Sequence, residues 1–378
     1  MKNLISILLV LAMLLALTAC STPEPPATEA TEPPTTEAPT TEATEPETEP
    51  PEPGLVGISM PTKDLWRWKS DGEQMKAQLE ELGYEVDLQY AANDIPTQVS
   101  QIENMIEGGC KVLVIASIDG DSLGTVLAQA KEAGIPVIAY DRLIMNSDAV
   151  TYYITFDNFD VGVKMGSYIE AALDLANAGD KTYNIEFADG DRGSEVFWDG
   201  AMSVLGKYID AGTLVVVSGQ KSFEEIATPG WATDKTQERF ENILASFYAD
   251  KPLDVVLAIS DSLAQGVANA LASTYHNDVY PIITGQDCDI VSVQNMIAGK
   301  QAMSVFKDTR DLAAKTVEMV NAIMQGLEPP INDTESYDNG AYVVPSYLVE
   351  PVVVTGDKWD IQSRLVDSGY YSAADLGL

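Results

Sequence analysis

The sequence contains little histidine, cysteine or positive charge. Its 378 residues include one histidine, three cysteines, and 22 Lys and Arg against 58 Asp and Glu, for a formal net charge of −36. Nucleic acid is a poor partner for so acidic a chain, because phosphate neutralisation requires clustered Lys and Arg. The single histidine, His276, has no cysteine or histidine partner at ligand spacing, so we expect no metal site. We expect no cofactor either.

The apolar run at the N-terminus, residues 5–17, is shorter than the roughly 20 residues that a membrane-spanning helix needs. It follows Lys2 and ends in Leu, Thr, Ala and Cys at 17–20, the pattern of a lipoprotein signal peptide. We therefore expect residues 1–20 to be a signal, with Cys20 as the lipidated first residue of a mature chain anchored outside the cytoplasm, at the cell surface or in the periplasm. An ordinary secretory signal and a short membrane anchor are the alternatives.

Residues 21–53 lack large apolar side chains. They contain only Ser, Thr, Pro, Glu and Ala, with ten prolines and nine glutamates. Such a segment cannot bury enough surface to offset the entropy lost on ordering, and its prolines and like charges favour an extended chain. We interpret it as a disordered stalk. A Pro-rich ligand is the alternative, but no repeated PxxP with basic flanks is present.

The remaining 325 residues, 54–378, carry 49 acidic and 21 basic side chains. This length is sufficient for one large domain or two medium ones with real cores. Cys110 and Cys288 are the cysteines left in this part. We expect both to be free and buried, with a disulfide as the alternative if the fold brings them within bridging distance.

Alternating apolar runs and amphipathic stripes predict parallel sheets with helices on both faces. The predicted strands cover 55–60, 84–90, 111–116, 136–140, 183–187, 213–218, 255–259 and 281–284. The predicted helices cover 66–82, a stripe through 99–106, 122–133, 161–176, 196–208, 233–248 and 262–273. Two doubly wound lobes explain this length better than one oversized sheet. Ligands of such sheets bind beyond the carboxyl ends of the strands.

Aromatic and charged side chains follow the predicted strand ends. They are Arg67 and Trp68 after the first strand, Asp141 and Arg142 after the fourth, Asp191 and Arg192 after 183–187, Trp231 before a helix, Asp261 and Asp287 after later strands, and Lys307 after 303–306. Indole rings pack on the apolar faces of a pyranose, while Asp and Arg make charge-assisted hydrogen bonds to its hydroxyls. The mixture therefore favours a neutral sugar as ligand.

Each of these residues also has a structural interpretation. Trp66 and Trp68 fit the core or surface of the first helix, Asp141 and Arg142 fit a surface ion pair, and Asp261 fits a cap of the helix that follows it. The coincidence of such residues at successive strand ends is what favours a binding site.

Long segments resemble a known family. Residues 111–120, 137–144, 155–158, 218–220, 284–287, 305–310, 332–334 and 343–348 are similar to the type I periplasmic-binding-protein sugar receptors of ABC transporters, which include ribose- and xylose-binding proteins. The resemblance implies a clamp of two lobes joined by three crossing strands. It places Arg67, Trp68, Asp141, Arg142 and Lys307 on one lobe, Asn158 at the hinge, and Trp231, Asp261 and Asp287 on the other.

On this pattern we expect an N-terminal lobe of residues 54–157 plus 307–334 and a C-terminal lobe of 158–306 plus 335–378. Two departures weaken the transfer of a particular sugar. Many members have Asn where this chain has Ser260, and a similar member has Asp-Asn-Asn where Asp191, Arg192 and Gly193 stand. The resemblance thus implies an aldose receptor, for xylose, glucose, galactose or arabinose, more strongly than any one of these sugars.

The function implied is capture of a monosaccharide by a monomeric receptor and its delivery to a membrane permease with a separate ATPase subunit. The absence of a Gly-rich loop ending in Lys-Ser or Lys-Thr agrees with that division. A glycosidase, with two carboxylates about 5 to 10 Å apart, and a receptor that signals to a chemoreceptor or sensor kinase are the alternatives. A DNA-binding repressor is excluded by the export signal and the lack of a basic headpiece.

Overall fold

The computed structural model describes residues 54–191 and 193–378. The predicted signal, Cys20, the stalk and Arg192 lie outside these ranges. No helix within them is long and apolar enough to cross a membrane.

The strands and helices alternate along most of the chain. The strands are β1 (Leu55–Met60), β2 (Glu85–Tyr90), β3 (Val112–Ile115), β4 (Val137–Tyr140), β5 (Tyr152–Phe156), β6 (Tyr183–Ala188), β7 (Leu214–Val215), β8 (Val255–Ala258), β9 (Ile282–Ile283), β10 (Met303–Phe306), β11 (Ser346–Val349) and β12 (Val352–Thr355). The helices are α1 (Trp66–Glu81), α2 (Ile95–Glu107), α3 (Gly124–Glu132), α4 (Asn158–Ala172), α5 (Glu195–Asp210), α6 (Phe223–Ile226), α7 (Thr233–Phe247), α8 (Asp261–Thr274), α9 (Ile290–Ile297), α10 (Thr309–Met324), α11 (Lys358–Ile361) and α12 (Ala373–Leu376). Short 3₁₀ turns lie at Leu175–Asn177 and Pro229–Trp231, and a π-helical turn lies at Gln362–Val366.

Two parallel sheets organise these elements. The first has the order β11-β5-β4-β3-β1-β2 and the second the order β7-β6-β8-β9. β10 pairs antiparallel with β12, and a bridge between Gln286 and Val305 places β10 beside the second sheet. The central strands β3, β4 and β8 are continuous, fully buried apolar runs, because helices cover both faces of such sheets. Val56, Ile58 and Met60 of β1 are fully buried, and each contributes about 1.5–3 kcal/mol to stability.

The chain passes between the sheets three times, from β5 into α4, from β10 into α10, and from β11 into β12. Aspartates fix the first two passages by capping the helices that follow. Asp157 Oδ1 accepts a hydrogen bond from Asp160 N at 2.9 Å, and Asp308 Oδ1 accepts one from Arg310 N at 3.0 Å. Such caps satisfy N–H groups that have no partner within the helix.

The course of the C-terminal segment corrects one predicted boundary. Residues 335–378 were expected in the C-terminal lobe, but β11 pairs in parallel with β5 at the edge of the first sheet, and only the segment from β12 onward joins β10. The physical reason is that β5 has an open edge, which β11 covers before the chain crosses back.

Two predicted elements end earlier than expected. The strand over 213–218 contains only β7, because the chain turns at Gly219, whose φ is +77°. The helix over 161–176 ends at Ala172, and Asp174 adopts a left-handed conformation with φ of 50°.

The prediction for the two cysteines is confirmed, because Cys110 and Cys288 are both free and buried.

Candidate functional site

Arg67 and Asp141 form an ion pair at the carboxyl edge of the first sheet. Arg67 Nη2 lies 2.7 Å from Asp141 Oδ1. Arg67 belongs to the first turn of α1, and Asp141 directly follows β4 with a positive φ of 63°. Burial alone raises the pKa of Asp141, but the positive charges of Arg67, Lys307 and Arg142 outweigh it and lower the pKa below its usual value. The carboxylate is therefore ionised at neutral pH and accepts hydrogen bonds only.

Trp68 lies beneath the side chains of Arg67 and Arg142 and is almost completely buried. Its side chain is 2% exposed and packs in the core of the first lobe. The guanidinium carbon atoms of Arg67 and Arg142 lie 4.3 and 5.1 Å from the centroid of its ring. Trp68 thus takes the core position that the sequence left open as an alternative, and it acts on the site as a platform for two cations.

Arg142 turns toward the neighbouring strand end. Its Nη1 donates to the carbonyl oxygens of Ser117 at 3.1 Å and Ile118 at 3.3 Å. These two residues follow β3, so Arg142 ties the loop after β4 to the loop after β3. In this arrangement the guanidinium braces the edge of the sheet that carries Asp141.

Lys307 and Asp287 form the second ion pair, with 2.8 Å between Nζ and Oδ1. Lys307 follows β10 at the passage into α10, and Asp287 stands in the turn after β9. Asp287 and Cys288 adopt positive φ angles of 94° and 53°. Such conformations are costly for residues with a side chain and persist where the surroundings hold them. In this turn, Asp287 N donates to Val305 O at 2.9 Å.

Asp261 lies behind that turn. It is 1% exposed, and its Oδ1 accepts from Gln301 Nε2 at 2.8 Å and from Ser304 Oγ at 2.9 Å. Oδ2 accepts from Asp289 N at 2.8 Å. Burial, followed by repulsion from Asp289 and Asp287, raises the pKa of Asp261 well above its usual value. Both oxygens already bond within the domain and support the turn that carries Asp287, and the predicted role of Asp261 as a ligand residue stays a prediction.

The alternative interpretation of Asp261 as a helix cap is wrong. The N-cap of α8 is Ser260, whose side chain accepts from Leu263 N at 3.3 Å. Ser260 therefore has a capping role, and Ser is among the residues favoured at an N-cap.

Trp231 and Asp191 belong to one wall of the second lobe. Gly230 N donates to both carboxylate oxygens of Asp191, at 3.0 Å each, and so ties the turn before Trp231 to the turn after β6. The indole lies directly on Gly190, where an added Cβ would come within 2.5–2.6 Å of three ring atoms. Trp231 itself has a positive φ of 52°. The ring is half-buried, and its orientation is fixed by these contacts.

Asn158 begins α4 at the first passage between the sheets, directly after the cap Asp157. It takes part in neither ion pair. Its predicted position at the hinge agrees with its place in the chain, and its predicted role as a ligand residue stays a prediction.

A cavity of about 240 Å³ adjoins the two ion pairs. Its lining includes Arg67, Asp287 and Lys307 together with Leu65, Asp289, Thr309, Tyr370 and Tyr371. Sequence reasoning missed the last four of these, because they do not stand directly after a recognised strand end. Asp71, which lies close to Arg67, was missed too, although its spacing of four residues on a helix was a usable signal.

The chemistry of the site is that of alternating cations and carboxylates. Ionised carboxylates accept hydrogen bonds, whereas Arg and Lys only donate them. A ligand whose every polar group both donates and accepts, such as a sugar hydroxyl, satisfies both kinds of partner. Within residues 54–191 and 193–378, no three His, Cys, Asp or Glu side chains are grouped so as to hold a metal ion.

Comparison with known proteins identifies the family. A model of the periplasmic binding protein domain matches residues 56–328. The chain belongs to the periplasmic binding protein family. It is 50% identical over 329 residues to the multiple sugar-binding periplasmic receptor ChvE of Rhizobium radiobacter, with 85% of this chain and 92% of the relative covered. The D-xylose-binding periplasmic protein of Escherichia coli strain K12 is 32% identical over 321 residues, with 85% and 92% covered.

A solved structure extends the likeness to the whole described domain. An ABC transporter solute-binding protein from Clostridium phytofermentans, with bound β-D-glucose, is 59% identical and has a TM-score of 0.78, with 85% of this chain and 99% of that chain covered. The predicted fold, of two parallel-sheet lobes of the periplasmic-binding-protein type, is confirmed, as is an extracytoplasmic location. The relatives of this periplasmic binding protein are receptors and not enzymes, which rules against the glycosidase alternative.

Proposed function

We propose that this periplasmic binding protein captures one neutral aldose outside the cytoplasm and delivers it to an ABC importer. The observation that carries the proposal is the pairing of Arg67 with Asp141 and of Lys307 with Asp287 around one cleft. Asp141 follows a strand of the first sheet and Asp287 a strand of the second. A ligand between them contacts both lobes, so it stabilises the arrangement in which the lobes are close.

The balance of charge supports a neutral ligand. Each cation in the two pairs already faces a carboxylate, so the site needs no further charge from the ligand. A sugar hydroxyl donates to Asp141 or Asp287 and accepts from Arg67 or Lys307. An analogue that lacks the hydroxyl leaves some hydrogen-bonding capacity of these groups unused and binds more weakly.

The sugars for which the relatives are named, or with which they were solved, narrow the choice of candidate ligands. One is named for binding multiple sugars, another for D-xylose, and the solved structure contains β-D-glucose. We propose glucose and xylose as the first ligands to test, within a set that includes galactose and arabinose. Trp231 supplies the aromatic face on which the pyranose packs.

Attachment to the membrane is part of the proposal and is supported by the sequence alone. Cys20 ends the apolar run, and residues 21–53 follow as a spacer rich in Pro, Thr and Glu. A lipid on Cys20 keeps the receptor close to the permease, and the acidic spacer keeps the domain away from anionic lipid.

Isothermal titration of the purified protein with glucose, xylose, galactose and arabinose tests the proposal. We expect micromolar or tighter binding of at least one of them, and we expect chromatography afterwards to recover the sugar unchanged. Absence of binding to every one of these aldoses would contradict the proposed ligand class, and release of a modified product would contradict a receptor function.

A further inference from the structure

Asp71 is a fully buried carboxylate directly beneath Arg67. The two residues stand one helical turn apart on α1, and Arg67 Nη2 lies 3.7 Å from Asp71 Oδ2. The Asp71 side chain is 0% exposed, so it does not reach the cleft. Its charge acts on Arg67 Nη2, the same atom that pairs with Asp141.

The same Asp71 oxygen also accepts a hydrogen bond from the strand that directly precedes Asp141. Tyr140 Oη donates to Asp71 Oδ2 at 2.8 Å, and Tyr140 is the last residue of β4. Asp141 follows immediately and pairs with Arg67 at 2.7 Å. Asp71, Arg67, Asp141 and Tyr140 thus form a closed ring, in which Asp71 touches Arg67 directly and reaches Asp141 through Tyr140.

A buried carboxylate in this position is unfavourable for the fold itself. Burial raises the pKa of Asp71 to about 6, although the charge of Arg67 and the hydrogen bond from Tyr140 oppose the rise. Buried ionised groups destabilise a core unless their partners are well placed, and apolar replacements are often as stable. Fold stability therefore does not explain why a charged residue stands at position 71. Its contacts with Arg67 and Tyr140 do.

We propose that Asp71 is a positioning residue for sugar binding: it fixes the guanidinium of Arg67 and the turn at Asp141 without touching the ligand. This inference rests on the proposed function and assigns a further residue to it. Without Asp71, Arg67 has a single carboxylate partner and loses the second constraint on its orientation. The sugar then meets a mobile donor, and part of the binding free energy is lost in ordering it.

The inference predicts a pH dependence of known sign. At pH 7.5 Asp71 is ionised and attracts Arg67; as the pH falls through about 6 the carboxylate is protonated, the attraction is lost and affinity falls. The charged or titratable groups that face Asp71 are Arg67 on the same helix, Tyr140 and Asp141 at the end of β4, and Tyr90 and Tyr370. Arg67 is the cation among them, so its orientation is what the titration changes.

Stability and affinity are expected to move in opposite directions. Because the folded-state pKa of Asp71 is raised, the folded protein binds this proton more tightly than the unfolded chain does, and the stabilisation from the proton is lost as the pH rises through about 6. Replacing Asp71 by Asn at pH 7.5 removes a buried charge. The melting temperature is therefore expected to stay the same or rise while sugar binding weakens.

The test compares Asp71→Asn with the matched surface control Asp148→Asn, whose side chain is 73% exposed and pairs with Lys131. Titration with glucose and xylose at pH 5.0 and 7.5, together with thermal unfolding, gives affinity and stability for each protein. We expect Asp71→Asn to bind about 10-fold more weakly at pH 7.5, the equivalent of one charge-assisted contact. We expect its loss of affinity between pH 7.5 and 5.0 to be smaller than that of the wild type.

The variant Asp289→Asn separates the effect of Asp71 from that of a second carboxyl, Asp289, which lines the cavity. Partial burial and the charge of Asp287 raise the pKa of Asp289 to about 6 as well, against the opposing charge of Lys307. This variant should keep the part of the pH dependence that belongs to Asp71. Tyr140→Phe removes the second bond of the ring and tests the inference independently if Asp71→Asn does not fold.

The outcomes are distinguishable. Weaker binding by Asp71→Asn at unchanged or higher melting temperature, with a flattened pH profile, supports the inference. Binding within twofold of the wild type in both Asp71→Asn and Tyr140→Phe overturns it, and so does a loss of affinity that accompanies a lower melting temperature with an unchanged pH profile. A wild-type protein that binds no aldose overturns the proposed function and this inference with it.

Discussion

The carboxylate of Asp261 accepts a hydrogen bond from the backbone N–H of Asp289 at 2.8 Å, and so holds the turn that presents Asp287 to the cleft. The other oxygen of Asp261 bonds Gln301 and Ser304. A single buried side chain thus links α8, the turn after β9 and the strand β10 that leads to Lys307.

Removing Asp261 is expected to affect stability and affinity together. Asp261→Ala leaves the Ser304 hydroxyl and the Asp289 N–H without an acceptor and leaves Gln301 Nε2 with Met303 O alone, so we expect a loss of about 1–3 kcal/mol in the free energy of unfolding. Sugar binding should weaken as well, because the Asp287 turn loses its support. Urea unfolding and titration measure the two effects. The control Ser260→Ala removes the cap of α8 and the bond of that hydroxyl to Ser262 Oγ, at about 1 kcal/mol. Equal losses of stability and of affinity in the two variants would contradict a role for Asp261 beyond the start of that helix.

Asp141→Ala is expected to weaken aldose binding by an order of magnitude or more. The substitution removes an acceptor for the sugar. It also leaves Arg67 with only the buried Asp71 as a carboxylate partner, so the positive charge of the guanidinium is less well balanced. Titration calorimetry measures the change, and circular dichroism checks the fold. Asp148→Ala, at an exposed ion pair, is the control and should bind as the wild type does. Unchanged affinity in a folded Asp141→Ala protein would remove Asp141 from the site.

Gly190→Ala tests the position of the Trp231 ring without altering the tryptophan. The added methyl group would come within 2.5–2.6 Å of three indole atoms, so the ring must move. If the indole packs on the sugar, we expect binding to weaken by about 10-fold, comparable to Trp231→Ala, since both remove a well-placed aromatic face.

Gly206→Ala serves as the control for Gly190→Ala. Gly206 lies within α5, and a Cβ there meets nothing within 4 Å. We expect a gain of roughly 0.5–1 kcal/mol in stability and no change in affinity. Wild-type affinity in Gly190→Ala and Trp231→Ala alike would show that the indole has a structural role only.

Cys20→Ala is expected to release the protein from the membrane. The lipid anchor requires the cysteine at the end of the signal, so the variant should move from the membrane fraction to the soluble fraction while keeping its affinity for sugar. Fractionation followed by immunoblotting measures the distribution. A variant that stays in the membrane fraction would favour the alternative of an uncleaved membrane anchor.

The predicted fold follows from the sequence because its signals are local. The strands β3 and β4 are continuous apolar runs, and α1 and α2 have amphipathic stripes that end near Gly83 and Gly108. The position of β11 is not a local property. It depends on an open edge of the first sheet at β5, almost 200 residues earlier in the chain, and nothing in residues 346–349 specifies that partner.

In the candidate site, too, some residues follow from local sequence signals and others do not. Asp141 and Lys307 stand directly after strands and Asp287 stands in the turn after β9, so the rule for parallel sheets finds them. Trp68 and Asp261 also satisfied that rule, but one packs beneath the arginines and the other behind the Asp287 turn. The rule predicts that a residue lies at the carboxyl edge of the sheet, but it does not predict the direction in which the side chain points. Tyr371, which donates to Cys288 O at 3.1 Å, comes from the C-terminal segment and follows no strand.

A crystal structure of the protein with glucose bound tests the central claim most directly. The account predicts one sugar between the lobes, with its hydroxyls hydrogen-bonded to Asp141 from the first lobe and to Asp287 from the second, and with Arg67 and Lys307 as donors. A sugar that contacts only one lobe, or that binds away from both ion pairs, would contradict the account.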